Sequence, residues 1–346
     1  MSELAARIRA GEDRSRLDAI LAAVGDDAGT SAEILSALTA ALYDEHPGLR
    51  QAAMDTLARL TTERGLIVEA KVVERVVALA KDPSPRVRQE ACVGLAVLRD
   101  DLEIPGRIAA LEANLLDPVD YVRQEAAAAL GDLGAQSAKE ALVAGLADPE
   151  RGVRFEVAMA LATLGDNRGR SVLELALDKN RTRLDACEGL RRLGDREAIP
   201  ALEQASRRFF LPWVDRLTLL ATLYHLGVVG AGSALLERTH ARGREERAYA
   251  VALLGSHRVK EGLPRLRELA QASDPLRDTA VRALGELGDP AARPVLERLE
   301  ADPSLSAELR ADARWALARL AGERRDEEPS ANPTPVAPSD SEEARG

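Results

Sequence analysis

The chain has 346 residues and a net charge of −10, and 46% of it is hydrophobic although only nine side chains are aromatic. A single hydrophobic core stops growing near 250–300 residues, so this length implies several domains or one modular, elongated one. The acidic balance disfavours a phosphate-backbone partner, and hydrophobicity carried by Ala, Leu and Val suits thin helical layers better than a β-sandwich.

The opening segment "MSELAARIRAGEDRSRL" lacks the apolar stretch of a secretion signal, and no run approaches eighteen apolar residues, so a soluble cytoplasmic protein is expected. Two short helices are expected over 3–25, giving an N-terminal cap at 1–31. A repeat comes next. With Arg123 in "DPVDYVRQEAAAALGDLG" as position zero, Ala126, Leu130, Leu133 and Gly134 stand at +3, +7, +10 and +11. The frame fits again from Arg154, Arg183, Arg216 and Arg277, and more weakly from Arg50, Arg88, Arg247 and Arg310: nine arginines, 29 to 38 residues apart. Position +7 is leucine in every copy, at 57, 95, 130, 161, 190, 223, 254, 284 and 317. Offsets +3, +7 and +10 share one helical face. Ala or Gly at most +6 positions leaves room for a neighbouring helix, and Gly at +11 suits a left-handed helix end.

A second amphipathic stretch precedes each arginine helix, as in "AKEALVAGLAD" (138–148) and "GLPRLRELAQ" (262–271). The two are joined by a turn, often Asp-Pro: Asp82-Pro83, Asp117-Pro118, Asp148-Pro149, Asp274-Pro275. Aspartate is expected to cap the following helix and proline to start it. Residues 32–321 therefore read as an all-α solenoid of about nine helix pairs, because one pair cannot bury its apolar face alone. The last stretch, 322–346, is rich in Pro, Ser and acids and reads as a disordered tail.

The pattern "DP…VR…A…AL..LGD" resembles the HEAT-repeat family, close to its bacterial bilin-lyase-like branch, over roughly 32–321. The resemblance implies that turn aspartate and arginine pair, within or between copies, as a ladder, a role it gives to Asp82 with Arg88, Asp117 with Arg123 and Asp148 with Arg154. The later copies lose this six-residue spacing, which puts the ladder in doubt there.

No catalytic motif is present: no GxSxG, HExxH, P-loop or GxGxxG. Cys92 and Cys187 both fall at +4, as small core residues. The four histidines lie apart, without the His-Glu pairs of the di-iron hydroxylases built from similar repeats, so no metal and no cofactor is expected. Three outward features remain. Acids recur at +2 in four successive copies, Glu90, Glu125, Glu156 and Asp185, either as solvated helix starts or as a line attracting a basic peptide. Apolar residues recur at +1, Phe155, Leu184 and Leu217, and are expected to merge into one exposed patch. The stretch "RRFFLPW" places Phe209, Phe210 and Trp213 where other copies have Asp-Pro, with Tyr224 and Tyr249 following. Those rings either fill a packing gap or dock a partner.

The expected function is a non-enzymatic scaffold or adaptor. It would bind a protein or peptide, with a basic segment, on the concave face, and neither nucleic acid nor membrane. A bilin-lyase-like protein is the alternative. A HEAT-like DNA glycosylase is a weaker one, since the +2 line is acidic where DNA would lie.

Overall fold

A computed structural model describes residues 3–9, 12–25, 32–98 and 106–322. The expected disordered tail lies outside them from 323 onward. Among the described residues the regular elements are twenty α-helices and five short 3₁₀ turns, an α-solenoid of helix pairs. By its contacts the chain divides into two compact units, Met1–Leu173 and Glu174–Gly346.

The first unit holds α1 (Glu3–Arg9), α2 (Asp13–Ala22), α3 (Ala32–Ala41), α4 (Pro47–Arg64), α5 (Ala70–Leu79), α6 (Pro85–Val97), α7 (Arg107–Asn114), α8 (Asp120–Asp132), α9 (Lys139–Gly145) and α10 (Arg151–Thr163). Helix α11 (Arg170–Ala176) spans the division. The second unit holds α12 (Arg183–Leu193), α13 (Ile199–Ser206), α14 (Trp213–His225), α15 (Ala231–Arg238), α16 (Arg244–Ser256), α17 (Leu263–Gln271), α18 (Arg277–Leu287), α19 (Arg293–Ala301) and α20 (Ala307–Leu320).

Within the first unit the even-numbered helices pack in series, α2 on α4, α4 on α6, α6 on α8 and α8 on α10. The second unit repeats this with α12, α14, α16, α18 and α20. The +3 residue is buried in all nine copies, and the +7 leucine is buried in eight; Leu317, in the last copy, packs against the core from its edge. The expected two N-terminal helices are present. Helix α2 also behaves as a further arginine helix: from Arg16 as zero, Ala19 at +3, Ile20 at +4 and Ala23 at +7 are fully buried. Alanine in place of leucine at +7 hides this copy in the sequence.

Close approach of successive helices depends on +6 and +8. A Cβ at Gly131, Gly255 or Gly285 (+8) would lie 2.9, 2.6 or 2.7 Å from the Cα of Ala160, Ala283 or Ala316, each at +6 of the next copy. At +11, Gly134, Gly165, Gly194, Gly227 and Gly288 take φ between 62° and 78°, the left-handed end that glycine adopts at no steric cost. The copy starting at Arg247 has Arg258 there instead, at φ 52°.

The arginine–aspartate ladder is real, with two corrections. The carboxylate joins neighbouring copies rather than the two ends of one turn. Arg50 Nε and Nη2 donate to both oxygens of Asp82 at 2.8 Å. Arg88 grips Asp117 at 2.6 and 2.9 Å, and Arg123 grips Asp148 at 2.7 and 3.0 Å. Within a copy, the arginine reaches only the backbone of its own turn: Arg88 Nη1 donates to the Asp82 carbonyl at 2.9 Å, Arg123 Nη1 to that of Asp117 at 2.8 Å and Arg154 Nη1 to that of Asp148 at 2.5 Å. Six residues from aspartate to arginine set that reach. Second, the aspartate does not cap the next helix. Its Oδ1 accepts the N–H two residues on, from Ser84, Val119 or Glu150 at 2.9 Å, and the Asp-Pro prolines stay inside the turn. One carboxylate thus shapes its turn and ties it to the copy before. A further rung, Arg16 with Asp44, precedes these.

The rungs are nearly dry: the Arg88 and Asp117 side chains are 13% and 5% exposed. Burial alone would raise the Asp117 carboxyl, but hydrogen bonds from Arg88 and the Val119 N–H outweigh it and hold the group below its ordinary range. Asp148 is held down in the same way by Arg123 and the Glu150 N–H.

Candidate functional site

The "RRFFLPW" stretch forms the loop between α13 and α14, and it separates the rings into two pairs. Phe209 and Phe210 stand in solvent, 86% and 91% exposed, edge to face with centroids 4.8 Å apart. Leu211, next in line, is buried, so it anchors the loop on the unit while the two phenylalanines face away. Trp213 opens α14 and packs edge to face on Tyr249 at 5.9 Å. The Tyr249 hydroxyl lies 2.9 Å from Thr218 Oγ1. Tyr224 accepts the Lys260 N–H at 3.3 Å, and a Cβ at Gly232 would meet its ring at 2.9 Å. Trp213, Tyr224 and Tyr249 all pack against the hydrophobic core of the second unit. Spacing alone did not distinguish the inner rings from the outer pair.

The +1 positions differ from one another. Phe155 on α10 and Leu184 on α12 are half-buried, one in each unit. Leu217 on α14 is 1% exposed, which overturns its expected outward facing. Helix α14 packs against α12, α13, α15 and α16, and Leu217, Leu219, Ala221, Thr222 and Leu223 are all buried. A helix enclosed on so many sides has too little outward surface for +1 to reach.

Two of the +2 acids are tied to the preceding copy. Glu90 accepts from Gln51 Nε2 at 3.3 Å and Glu125 from Gln89 Nε2 at 3.3 Å, so the +1 glutamine of one copy reaches the +2 glutamate of the next. Burial pushes the Glu90 carboxyl up, and the Gln51 amide offsets part of that. Glu156 is half-buried in the first unit, and Asp185 is exposed in the second.

Both cysteines are buried and free, and burial pushes each thiol up to about 12, so neither supplies a thiolate at neutral pH. Among the described residues no group of three or more His, Cys, Asp or Glu is placed to hold a metal ion, and no helix is long and apolar enough to cross a membrane. An open polar cleft of about 690 Å³ lies beside the Arg16–Asp44 rung, with Tyr43, Glu45 and His46 in its lining.

Paired helices stacked in series, with a small +3, a leucine at +7 and an arginine–aspartate tie between copies, define a helical-repeat protein. Residues 104–185 and 232–318 match the family model of HEAT repeats, so the helix pairs of those stretches are HEAT repeats. No curated protein matches the chain. Similar solved structures include an engineered protein, 19% identical over 93% of this chain and 99% of that one, with a TM-score of 0.44. The CpcE–CpcF complex of phycocyanin lyase from Nostoc sp. is 19% identical over 83% and 94%, at 0.41. The karyopherin Kap121p, bound to the extreme C-terminus of the protein phosphatase Cdc14p, is 13% identical, at 0.46; the match takes in 92% of this chain but only 41% of the karyopherin.

Proposed function

We propose that this HEAT-repeat solenoid is a non-enzymatic scaffold of the cytoplasm that binds a protein or peptide. The observation that carries the reading is the Phe209–Phe210 pair. Two adjacent phenylalanines, 86% and 91% exposed, keep about 150–250 Å² each out of any core. They project from a loop fixed by the buried Leu211 and stiffened by Pro212. Aromatic side chains that lose water together dominate binding energy at interfaces, and a rigid loop lowers the ordering cost. Arg207 and Arg208 border the pair; Arg208 is held by Asp178, which fixes the base of the loop.

Phe155 and Leu184 supply half-buried apolar contacts in this reading, and Trp213, Tyr224 and Tyr249 the support behind the exposed pair. Glu90, Glu125, Glu156 and Asp185 steer a basic segment of the partner, Glu90 and Glu125 keeping acceptor capacity beyond their bonds to Gln51 and Gln89.

The test is capture from the source lysate by the wild-type chain, by Phe209→Ser/Phe210→Ser, and by Val229→Ser, which alters another fully exposed side chain. The double variant is expected to lose the captured protein with an unchanged melting temperature, while Val229→Ser keeps it. Undiminished capture by the double variant overturns the reading.

A further inference from the structure

The second unit keeps the ladder arginines but lacks most of their carboxylates. In the first unit Arg50, Arg88 and Arg123 each give two N–H bonds to one aspartate of the following copy. That aspartate, Asp82, Asp117 or Asp148, stands six residues before the next ladder arginine. For Arg216, Arg247 and Arg277 the same positions hold Ala241, Gln271 and Ser304. Arg216 and Arg247 keep a buried Nε without an acceptor, and the Arg277 Nε turns to the Ala270 carbonyl at 2.9 Å. The acids nearby are engaged elsewhere. Asp215 is held by Arg183, and Asp274 accepts the Leu276 N–H at 2.8 Å. Asp302 accepts the Ser304 N–H at 2.9 Å and the Ser304 hydroxyl at 2.6 Å; its charge reaches Arg277 only at a distance.

A guanidinium partly removed from water without an acceptor is costly, and more so because it is charged. All three arginines are half-buried. Of the Arg247 nitrogens only Nε is sealed off, which leaves both Nη atoms to solvent. Arg242, in the turn before α16, and Arg244, its first residue, are exposed beside it. Of the acids there, Glu246 is taken by Arg238 at 3.6 Å, and only Glu245 remains.

The three arginines sit on α14, α16 and α18, which pack in series. Packed helices lie about 8–10 Å apart. A polyproline II chain has three residues per turn and rises about 3.1 Å per residue, so every third side chain returns to one face after about 9 Å. We propose that Arg216, Arg247 and Arg277 take their carboxylates from an acidic, extended segment of a partner protein that lies across the second unit and carries an acid at every third residue. Duplex nucleic acid fits less well. Its charges fall about every 1.7 Å, far denser than the row, and the net charge of −10 opposes it. The row begins beside the loop of the exposed phenylalanines, Arg216 Nη2 donating to the Arg208 carbonyl at 3.4 Å, but it requires neither ring.

The test is fluorescence anisotropy of the full-length chain with two labelled peptides of equal charge. One has three Glu-Pro-Pro units; the other has its three glutamates contiguous before six prolines. The first is expected to bind about tenfold more tightly, and to be released in 1 M NaCl, where the screening length falls to about 3 Å. Arg247→Gln is expected to weaken it about tenfold, the loss of one charge-assisted contact. Arg293→Gln, which removes the same charge from an exposed position on α19, leaves it unchanged. Arg247 has no ion pair to lose, so its variant stays folded, as a thermal melt checks, and Arg277→Gln repeats the measurement on the next helix. Phe209→Ser/Phe210→Ser is expected to bind the peptide as the wild type does, which separates this surface from the phenylalanine pair. Equal affinity for the two peptides, or equal losses in Arg247→Gln and Arg293→Gln, overturns the proposal. Tighter binding of a DNA duplex than of the first peptide assigns the row to phosphate and overturns it as well.

Discussion

The two units are built from the same repeat but tied together differently. The first has four consecutive rungs, Arg16–Asp44, Arg50–Asp82, Arg88–Asp117 and Arg123–Asp148. The second has one at its start, Arg183–Asp215, after which Arg216, Arg247 and Arg310 each keep a buried Nε without an acceptor. Arg247 shows why. The following copy does offer a turn aspartate, Asp274, whose Oδ1 accepts the Leu276 N–H at 2.8 Å as its counterparts do. Yet that turn places three residues rather than six between aspartate and arginine, and no ion pair to Arg247 forms. A turn aspartate alone does not close a rung: Asp274 leaves Arg247 unpaired, whereas Asp215, directly before Arg216, pairs with Arg183. Where rungs are missing, the second unit has glycine-on-alanine contacts at 255 with 283 and 285 with 316, and the Trp213–Tyr249 pair.

The largest expected effect breaks a rung of the first unit. Asp117→Ala leaves Arg88 charged, buried and without its carboxylate, at a cost of about 3–5 kcal/mol. Arg247→Gln in the second unit removes no ion pair and is expected to cost about 1 kcal/mol or less. Denaturant titration of both variants, with hydrogen exchange over α6 and α8, measures the contrast; equal losses would show that the ladder contributes nothing special.

Next in size is the helix contact of the second unit. The added methyl of Gly255→Ala would sit 2.6 Å from the Ala283 Cα and 2.8 Å from its carbonyl oxygen. Backbone cannot rotate aside as a side chain does, so α16 and α18 must separate, costing about 2–3 kcal/mol by overpacking. Adding Ala283→Gly is expected to restore part of the loss, and a midpoint unchanged by Gly255→Ala alone would refute the close contact.

Much of this architecture was legible in the sequence. Nine leucines at +7 and the mostly small residues at +3 announced the inward face, and the six-residue Asp–Arg spacing announced the rungs of the first unit but not Arg183–Asp215. The copy at Arg16 was missed because Ala23 replaces leucine, although Asp44 and Arg50 carry the same six-residue spacing. The partner of each arginine was misread, because a linear spacing cannot tell a contact within a turn from one made across the stack. For the candidate site the sequence identified the ring cluster but not its division. Phe209 and Phe210 face away because Leu211 is the residue that packs, a choice fixed by the loop path and not by residue type. Leu217 was misplaced because +1 is outward only on a helix with a free side, and α14 is enclosed.

Acid separates the units a third way. Burial, with Arg191 and His225 nearby, pushes His257 down to about 4 from its ordinary 6.5. The unfolded chain therefore takes up a proton first as pH falls, and the stability present above 6.5 is lost between 6.5 and about 4. With the partly exposed ring screened by solvent, the loss is about 2 kcal/mol. In the first unit the depressed carboxyls of Asp117 and Asp148 keep their contribution until pH falls below their unfolded value near 4. Hydrogen exchange between pH 6.5 and 4.5 is expected to loosen α16 before α6 or α8, and His257→Gln to remove that difference. Simultaneous loosening would place the acid sensitivity elsewhere.

The smallest effect has the opposite sign. Arg258 holds the +11 position at φ 52°, where Gly134, Gly165, Gly194, Gly227 and Gly288 stand in other copies. A side chain in left-handed backbone crowds its own carbonyl, at a cost of about 1–2 kcal/mol. The Arg258 side chain is exposed, and its carbonyl, which accepts from Tyr224 Oη at 3.4 Å, is retained by any residue. Arg258→Gly removes the crowding but gives the unfolded chain more freedom, which offsets part of the gain. The balance is a stabilisation of about 1 kcal/mol, seen as a higher denaturation midpoint of the second unit. The same change at a +11 position of the first unit is already present as Gly134, so Gly134→Arg is expected to cost a similar amount there. If the two substitutions shift their midpoints in the same direction, the shared backbone geometry at +11 is not what sets the difference.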